Sequence, residues 1–496
     1  MSDPLGLLPI AIAAGRGHVD GFEAQQLVAA GLTLLQRCAP LVRALHRRRS
    51  AILLPTSPAF VTALAASEGR GAVLINPLAA APEIAYQIAD ANVGAVFTTT
   101  DLAHRVPDHV PRVLLDDAPR VARFTAGGIA RDVDLGSHHG LTLEGNADAA
   151  GADEEAVVVY TSALAGTLLG ASLTHASLLS NARATITAAA LTDESHTLAV
   201  LPFAHLFGLV VSGAAPLLKG GRVTTMARFH PARAIELLES ESITDLVAVP
   251  TVFASIAALL ERRQSPLAAE RLRLCICGGA PLDTALQDRW HALTGVELRQ
   301  GYGLTEAGPV CLFNRVDQPN RRGTLGVPFP GVRVSVRSED GDAEMPPGGQ
   351  GEICVAGPNV FAGYVNAAAH PATPIDAWSA GLRRVGDWLR TGDRGVQNGD
   401  GTVSFRGLLK PMFTRNGFNI YPRELERVVG AMPGVHAVRV IAVPDPLREN
   451  DIVLEIAGDV TEADVKAWCE AQLAVYKRPS VVRLVAPAPN DVLPPR

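Results

Sequence analysis

Residues 272–282 of this chain read LRLCICGGAPL. The first part is an apolar run in which Cys275 and Cys277 alternate with larger aliphatic residues, a pattern typical of a buried β-strand. The second part supplies two glycines and a proline, which end a strand and allow a backbone to approach a flat ligand closely. The segment therefore predicts a strand that leads directly into a ligand-binding loop.

The same alternation of strand and loop continues on both sides of this segment, up to about residue 310. Short apolar strands are predicted at 51–54, 156–160, 196–201, 245–249 and 272–277. Helical patterns are predicted at 176–191, 232–238, 253–262 and 283–293. Because strands that alternate with helices form βαβ units, we predict an α/β fold built from doubly wound, largely parallel subdomains.

The sequence pattern changes twice in the remainder of the chain. Segments of β type at 332–336, 351–355 and 401–405 predict a small β-barrel or meander. Beyond residue 407, helices at 423–432 and 462–473 and strands at 435–443, 451–456 and 481–485 predict a compact α+β unit. We expect an N-terminal domain over 1–408 with a β-rich subdomain at about 320–407, a hinge at about 408–412, and a small mobile C-terminal domain over 412–496.

Composition excludes several classes of protein. The chain has 496 residues, of which 48% are hydrophobic and 19% charged, as expected for a packed protein of more than one domain. A net charge of −6 gives no reason to expect nucleic acid as a partner. No apolar run approaches the length of a membrane span, and the six cysteines show neither zinc nor redox spacing. We expect a cytoplasmic protein without a secretory leader.

Three further segments carry residue types suited to nucleotide binding. The strand at 156–160 ends in Thr161 and Ser162, and a helix that starts near residue 174 is expected to direct backbone N–H groups at an anion. Residues 301–306 read GYGLTE, with an aromatic face and a hard carboxylate ligand. Residues 388–393 read WLRTGD, where an aspartate in a tight turn could hold ribose hydroxyls. Any one of these alone is also an ordinary loop or turn.

Together and in this order, the segments resemble the signature set of the adenylate-forming superfamily, which includes acyl- and aryl-CoA synthetases, peptide-synthetase adenylation domains and luciferases. LPFAHLFG at 201–208, VPT at 249–251, GFNIYPRELE at 417–426 and YKRP at 476–479 extend the resemblance. It covers the chain from about residue 20 to the C-terminus. It implies a two-step reaction, in which a carboxylate and ATP give acyl-AMP and pyrophosphate and a thiol then displaces AMP.

The resemblance also implies where a nucleotide would bind. Gly279, Ala280 and Pro281 would line the adenine, with Tyr302 against its face. Asp393 would hold the ribose hydroxyls. ATP or AMP is the cofactor implied by this set.

The remaining family positions concern phosphate, metal and substrate. Thr161 and Ser162 would belong to the phosphate loop, Thr305 would contact the α-phosphate, and Glu306 would bind Mg²⁺. His205 would lie beside the substrate carboxylate or gate the pocket. These positions imply catalysis by Thr305, Glu306 and His205.

The acyl acceptor and the acid are less narrowly defined. Gly417 would line the tunnel through which the thiol of CoA, or of the phosphopantetheine of an acyl carrier protein, enters. The substrate is expected to be a small carboxylic acid with an apolar acyl or aryl group. The residues that suggest such a pocket, although they could equally be core, are Phe203, Phe207, Val252, Phe253 and Leu304.

Several positions depart from the superfamily pattern. The phosphate loop, roughly TSGTTGxPKG in the family, reads TSALAGTLLG at 161–170, so Leu169 stands in place of the lysine. Leu408 replaces the arginine that usually contacts the nucleotide, and Leu493 replaces the C-terminal catalytic lysine. Pro411 occupies the hinge position, where a fixed φ either biases the C-terminal domain to one pose or is compatible with both.

These departures leave three functions open. Each lost donor to a developing oxyanion costs roughly 10²–10³ in rate, so adenylation is expected to be impaired or lost. The chain is then an acyl-CoA synthetase-like enzyme with impaired adenylation, which includes acyl transfer to a thiol without ATP. Alternatively it is a non-catalytic homologue that binds an acyl group, a nucleotide or a carrier protein. A hydrolase or acyltransferase using His205 as base is the third option, although no Gly-x-Ser-x-Gly elbow is present.

Overall fold

The structure is a computed structural model, and it describes residues 8–38, 49–67, 71–115, 121–126, 129–135, 154–162, 168–365, 384–445 and 447–485. The helices are α1 Leu8–Ala14, α2 Ala24–Cys38, α3 Pro58–Ala66, α4 Ala81–Asp90, α5 His175–Ala188, α6 Ala215–Lys219, α7 Pro231–Ser240, α8 Pro250–Arg263, α9 Thr284–Thr294, α10 Pro422–Gly430 and α11 Glu462–Gln472. A π-helical segment spans Phe207–Ala214 and a 3₁₀ turn spans Thr305–Ala307. No helix among these residues is long and apolar enough to cross a membrane.

The strands follow the same order along the chain. Those of the first half are β1 His18–Val19, β2 Phe22–Glu23, β3 Arg49–Leu53, β4 Ala72–Leu74, β5 Val93–Thr98, β6 Arg112–Leu115, β7 Val121–Ala126, β8 Ile129–Asp134, β9 Glu155–Ser162, β10 Leu168–Thr174, β11 His196–Ala199, β12 Arg222–Thr225, β13 Asp245–Ala248 and β14 Leu274–Cys277. Those of the second half are β15 Leu298–Gly303, β16 Val310–Phe313, β17 Val327–Pro328, β18 Arg333–Arg337, β19 Gln350–Ala356, β20 Gly363–Tyr364, β21 Arg384–Val385, β22 Trp388–Gln397, β23 Val403–Leu408, β24 Phe413–Arg415, β25 Phe418–Ile420, β26 Val435–Asp445, β27 Glu449–Gly458 and β28 Val481–Leu484.

Two large sheets form the N-terminal part of the molecule. One has the order β17-β16-β15-β14-β13-β11-β12-β1-β2 and the other β20-β10-β9-β4-β3-β5-β6-β7-β8. The central pairs of both sheets are parallel, and antiparallel pairs lie toward their edges. The predicted α/β fold with βαβ subdomains is therefore confirmed, with mixed rather than wholly parallel sheets.

The segment after β9 contains a strand that the sequence did not predict. This strand, β10, runs antiparallel to β9 and places Leu169 opposite Thr161. The helix begins at His175, next to the start predicted near residue 174, and the Thr174 hydroxyl accepts the N–H of Ser177 at 3.1 Å. The apolar residues of β10 favour a buried strand, so the N-terminus of this helix is separated from the loop by a whole strand.

Aromatic contacts fix the helices that surround the first sheet. Phe253 of α8 meets Trp290 of α9 edge to face, with ring centroids 4.8 Å apart, and both side chains are fully buried. Phe203 makes a similar contact with Phe60 at 5.6 Å. Because such pairs add stability beyond their buried area, they hold the loops at the strand ends on a rigid support.

The smaller units agree with the predicted pattern. Strands β18, β19, β22, β21 and β23 form an antiparallel meander, and β26, β27 and β28 form a second small sheet covered by α10 and α11. Strand β23 ends at Leu408 and β24 begins at Phe413, so the segment proposed as a hinge is the short connection between them. The exact domain bounds stay a prediction.

A buried ion pair organises the meander. Arg390 Nε lies 2.6 Å from Glu352 Oε2, and Glu352 Oε1 accepts the N–H of Gly392 at 2.8 Å. Arg390 also donates to the carbonyl oxygens of Ser338 and Gly341 at 2.7 Å each. Because the charged groups of Arg390 and Glu352 both have hydrogen-bond partners, this ion pair fixes the backbone immediately before Asp393.

We expect Glu352→Gln to lower the free energy of unfolding by about 3–5 kcal/mol, because it leaves the Arg390 guanidinium buried without a counter-charge. Urea unfolding of the two proteins measures the difference. Glu239→Gln is the matched control, since Glu239 pairs with the partly exposed Arg263 and should change stability by under about 1 kcal/mol. Equal losses in both variants would contradict the special role of the buried pair.

Candidate active site

A cavity of about 620 Å³ lies where the N-terminal sheets meet the small C-terminal unit. Its wall includes the loops that follow β14 and β15, at the carboxyl ends of neighbouring parallel strands. Ligands of open α/β sheets bind at such ends, and the volume is typical of a site for a small molecule. The predicted residues that line it are Thr161, His205, Gly279, Ala280, Pro281, Tyr302, Thr305, Glu306, Asp393 and Gly417. The side chain of Ser162 lies outside the described part.

The loop after β14 contributes backbone rather than side chains. Gly279 has φ of +83°, and a Cβ there would lie 3.3 Å from the side chain of Val249. Glycine is therefore required both for the left-handed conformation and for the close contact. Ala280 and Pro281 continue this part of the cavity lining, and their contact with an adenine stays a prediction.

Asp393 lies at the centre of a buried polar group. The Tyr302 hydroxyl donates to Asp393 Oδ2 at 2.7 Å, and Lys410 Nζ lies 3.2 Å from Oδ1 and donates to the Thr391 carbonyl at 3.0 Å. Burial opposes the charge of Lys410, but Asp393 and Tyr421 raise its pKa above the ordinary value. Lys410 is thus a cation in the cavity wall that the sequence analysis did not assign to the site, although it follows Leu408 closely.

Glu306 lies on the 3₁₀ turn after β15 and is almost fully buried. Its Oε1 accepts the Tyr364 hydroxyl at 2.7 Å, and the Thr161 hydroxyl lies at 3.4 Å. Sequence reasoning missed Tyr364, because its distance along the chain gives no sign of this contact. No cluster of three or more possible metal-binding side chains exists among the described residues. A Mg²⁺ ion at Glu306 would therefore need phosphate oxygens and water as further ligands, which is its usual preference.

Leucines occupy the positions where the family has cations. Leu168 and Leu408 line the cavity. Leu169 is buried opposite Thr161, so its side chain shares the face on which Thr161 approaches Glu306. Residues 163–167 and Leu493 lie outside the described part.

The uncharged ring of His205 forms part of the cavity wall. Its ring lies 5.4 Å from that of Phe418, which in turn stacks on Tyr476 at 4.1 Å. Burial lowers the pKa of His205 to about 4, so the ring carries no charge at pH 7 and does not replace a lost lysine. Of the apolar residues proposed for the acyl pocket, Phe207 and Leu304 line the cavity. The others, Phe203, Val252 and Phe253, belong to the buried core.

The hairpin of β24 and β25 extends into the cavity from the C-terminal unit. Asn416 and Gly417 form its two-residue turn with φ of +53° and +75°. A Cβ at Gly417 would lie 2.6 Å from the Val249 side chain, so a larger residue would displace the tip. Gly417 therefore lies beside Gly279, with its carbonyl oxygen 3.9 Å from where a Cβ on Gly279 would be.

A buried lysine joins the two parts of the chain. Lys477 Nζ lies 2.8 Å from Glu83 Oε1 on α4 and 2.5 Å from Glu424 Oε1 on α10. Its side chain is only 2% exposed. Burial lowers the pKa of Lys477, but Glu424, Tyr476 and Glu83 together raise it above the ordinary value, so the ammonium remains charged. The C-terminal unit is thus held against the N-terminal one by a charge pair shielded from water.

The chain is similar in sequence to known proteins. Residues 37–365 match the family model described as AMP-binding enzyme. The chain belongs to this family. It is 32% identical over 452 residues to a feruloyl-CoA synthase from Amycolatopsis sp, covering 89% of this chain and 86% of that protein. The superfamily inferred from the motifs is confirmed, and the chain is acyl-CoA synthetase-like.

Two solved structures of the family cover nearly the whole chain. A malonyl-CoA ligase in a ternary product complex with methylmalonyl-CoA and AMP has a TM-score of 0.78 and 28% identity over 97% of each chain. ATP-bound MatB from Rhodopseudomonas palustris has a TM-score of 0.67 and 26% identity, covering 100% of this chain and 96% of that one.

The cavity residues of this chain suit the adenosine part of ATP better than its triphosphate. Two features suit an adenosine. They are the loop at Gly279, where a Cβ would already contact Val249, and the Tyr302–Asp393 pair. The triphosphate region is less suited, because Leu168 and Leu408 face the cavity and Glu306 adds a negative charge. Among the described lining residues the lysines are Lys410 and Lys477, and both already pair with carboxylates.

We expect Lys477→Met to release the C-terminal unit from its observed position, since Glu83 and Glu424 would be buried without a cation at a cost of about 3–5 kcal/mol. Small-angle scattering should show a larger radius of gyration. Lys466→Met is the control, because Lys466 forms an exposed pair with Glu462 on α11. Unchanged scattering of the Lys477 variant would contradict the role of this lysine.

Acidification should destabilise the wild-type protein through His205. Its pKa falls from 6.5 unfolded to about 4 folded, so stability is complete above pH 6.5 and is lost as the pH falls toward 4. Relative to His205→Gln, the wild type should lose about 2 kcal/mol of unfolding free energy between pH 7 and pH 5. Urea unfolding at both pH values measures this, and equal pH dependence of the two proteins would disprove the assignment.

Proposed function

We propose that this chain transfers an acyl group from an acyl-adenylate to a thiol, and that its ATP-dependent adenylation is lost or strongly reduced. The observation that carries the proposal is the position of the β24–β25 hairpin, whose Gly417 lies in the cavity against Val249 and Gly279. Gly417, one of the two residues of the tip, has no side chain, and this would leave a narrow approach for a slender pantetheine arm. The resemblance to the superfamily assigns that approach to the thiol.

The contacts of the C-terminal unit support a stable thiol-transfer pose. Lys477 joins it to Glu83, and the segment proposed as the hinge is itself attached to the site through Lys410 and Asp393. Leu409 also donates its N–H to the Gly392 carbonyl at 2.8 Å.

The electrostatics of the cavity support the loss of adenylation. Forming acyl-AMP from ATP requires cations near the phosphates, where charge develops in the transition state. Leu169 and Leu408 supply none, and Glu306 and Asp393 oppose a triphosphate. An AMP moiety carries less charge, so its phosphate is tolerated more easily near Lys410 and Thr305.

The transfer step needs less from the protein than adenylation does. The thiol sulfur forms a bond to the acyl carbon, the bond from that carbon to the AMP phosphate oxygen breaks, and AMP leaves with the electron pair. The thiol proton passes to a base. In this proposal Thr305 contacts the phosphate and neutral His205 contacts the acyl oxygen, and both residues line the cavity. Phe207 and Leu304 favour an apolar acyl or aryl group, consistent with the feruloyl-CoA synthase relative.

The acceptor and the setting of this reaction are part of the proposal. CoA and the phosphopantetheine of a carrier protein share the thiol arm that the tunnel would admit. The cytoplasmic location, and Mg²⁺ at Glu306, stay predictions from the sequence.

One observation favours a second function, that of a non-catalytic binding protein. The carboxylates expected to meet nucleotide and metal already have partners within the protein, Asp393 in the Tyr302 hydroxyl and the Lys410 ammonium, and Glu306 in the Tyr364 hydroxyl, although Asp393 Oδ1 makes no hydrogen bond among the described residues. A site whose carboxylates are already paired suits an acyl group bound alone. Calorimetric titration with AMP and with free carboxylic acids separates this function from acyl transfer, since only the transferase should bind AMP.

The decisive test of the first step is ATP–pyrophosphate exchange with pooled carboxylic acids. We expect no exchange above background from the wild type, and an increase of at least about 10²-fold from Leu169→Lys, Leu408→Arg, Leu493→Lys, because each restores a donor to phosphate. The matched control adds the same charges to exposed leucines, as Leu78→Lys, Leu447→Arg, Leu484→Lys. Exchange by the wild type would overturn the loss of adenylation.

A further inference from the structure

Glu449 has an unusual backbone conformation beside the hairpin that enters the cavity. It begins β27, directly after the turn in which Asp445 Oδ1 accepts the N–H groups of Leu447 and Arg448 at 2.8 Å each. Its φ is +70°, in the left-handed region that favours glycine. A strained non-glycine residue near a functional site calls for an explanation in terms of what its side chain does.

Three consecutive residues hold the hairpin in place. The Arg448 carbonyl accepts the N–H of Asn416 at 3.1 Å, and Glu449 Oε2 accepts the N–H of Gly417 at 3.3 Å. The Asn450 amide donates to the Thr414 carbonyl at 3.0 Å. The left-handed conformation thus directs the Glu449 carboxylate at the tip of the hairpin.

Of the two carboxylate oxygens of Glu449, only Oε2 accepts a hydrogen bond from the hairpin. Oε1 is buried and makes no hydrogen bond within the described part of the chain. Thr414, Gly417 and Asn450 line the cavity, whereas Glu449 is not part of its lining and is connected to it through the Gly417 tip. A buried acceptor without a partner is costly, so this oxygen suits a ligand that brings a hydrogen-bond donor past the Gly417 tip.

The surroundings of this carboxylate favour proton uptake. Burial raises the pKa of Glu449, opposed by the Thr414 hydroxyl and the Gly417 N–H. From β14, the Cys277 thiol has its pKa raised by burial first and by Glu449 second. Charged groups also lie nearby: Asp445 pairs with Glu449 across β26 and β27, and Arg448, its neighbour in the chain, forms an ion pair with Asp451 at 3.7 Å. None of them is among the causes of the Glu449 pKa shift.

We propose that Glu449 Oε1 accepts the proton of the acyl-acceptor thiol. The proposal rests on the proposed acyl transfer and assigns its missing base. The S–H bond breaks as the proton moves to Oε1, the sulfur bonds to the acyl carbon, and AMP departs with the electrons of the broken C–O bond. The proton then passes from Glu449 to solvent after the thioester leaves. His205 is a weaker candidate, because its ring faces Phe418 and its pKa of about 4 makes it a poor base.

The test measures thioester formation from synthetic feruloyl-adenylate and dodecanoyl-adenylate with pantetheine, between pH 6 and pH 9. Glu449→Gln keeps the size of the side chain and an oxygen for the Gly417 N–H. A general base contributes roughly 10²–10⁴ in rate, so the variant should be at least about 10²-fold slower at pH 7. The deficit should shrink as the pH approaches the thiol pKa of about 8.5, where the thiolate forms without help.

Two further variants separate catalysis from folding. Glu449→Gly removes the carboxylate and suits a φ of +70°, so it should unfold at the same or a higher temperature while transferring as slowly as the Gln variant. Glu462→Gln, on the exposed surface of α11, should behave as the wild type. A Glu449→Gln protein with wild-type rate and pH profile would overturn this proposal alone. Failure of the wild type with both adenylates would overturn the acyl-transfer function and this proposal with it.

Discussion

The buried ammonium of Lys477 is the interaction on which the arrangement of the cavity depends. It contacts Glu83 from the N-terminal part and Glu424 from the C-terminal part, and the side chains of all three are at most 10% exposed. A buried ion pair of this kind stabilises the fold little more than an apolar contact would. Removing only one partner is costly, however, because the remaining charges would stay buried. It therefore favours a particular relative position of the two units. That position carries the hairpin tip with Gly417 into the cavity.

The composition of the cavity follows from this position and from the leucines that replace cations. The two lysines in its wall neutralise carboxylates of the protein, so neither is available to a triphosphate. The contacts proposed for an adenosine come mainly from backbone and from Tyr302, and these do not depend on cationic side chains. The same pocket can thus retain recognition of an adenylate while losing the chemistry that makes one, because the two tasks use different parts of the wall.

The sequence predicted the elements of the fold closely, and the reasons are local. The strand at β14 and the loop after it follow from alternating apolar residues and consecutive glycines, and α9 begins at a residue whose cap, Asp283, is visible in the sequence. The error at β10 has a physical cause. Its small residues predicted a turn before the helix, whereas pairing with β9 makes the segment a strand. Tyr364, Glu83 and Glu449 were missed because their contacts join segments far apart in the chain.

The sequence by itself determined the family, the order of the motifs and the loss of three cationic side chains, since each is a property of residue type and local spacing. Only the tertiary structure decided which cationic side chains remain available to a bound phosphate. Nothing in the sequence shows whether Lys410 and Lys477 are free to contact a phosphate, whereas in the structure burial against Asp393, Glu83 and Glu424 commits both of them within the protein. The distances between charged groups, and their exclusion from water, arise only when distant segments pack together, because Coulomb interactions depend on separation and dielectric rather than on position along the chain.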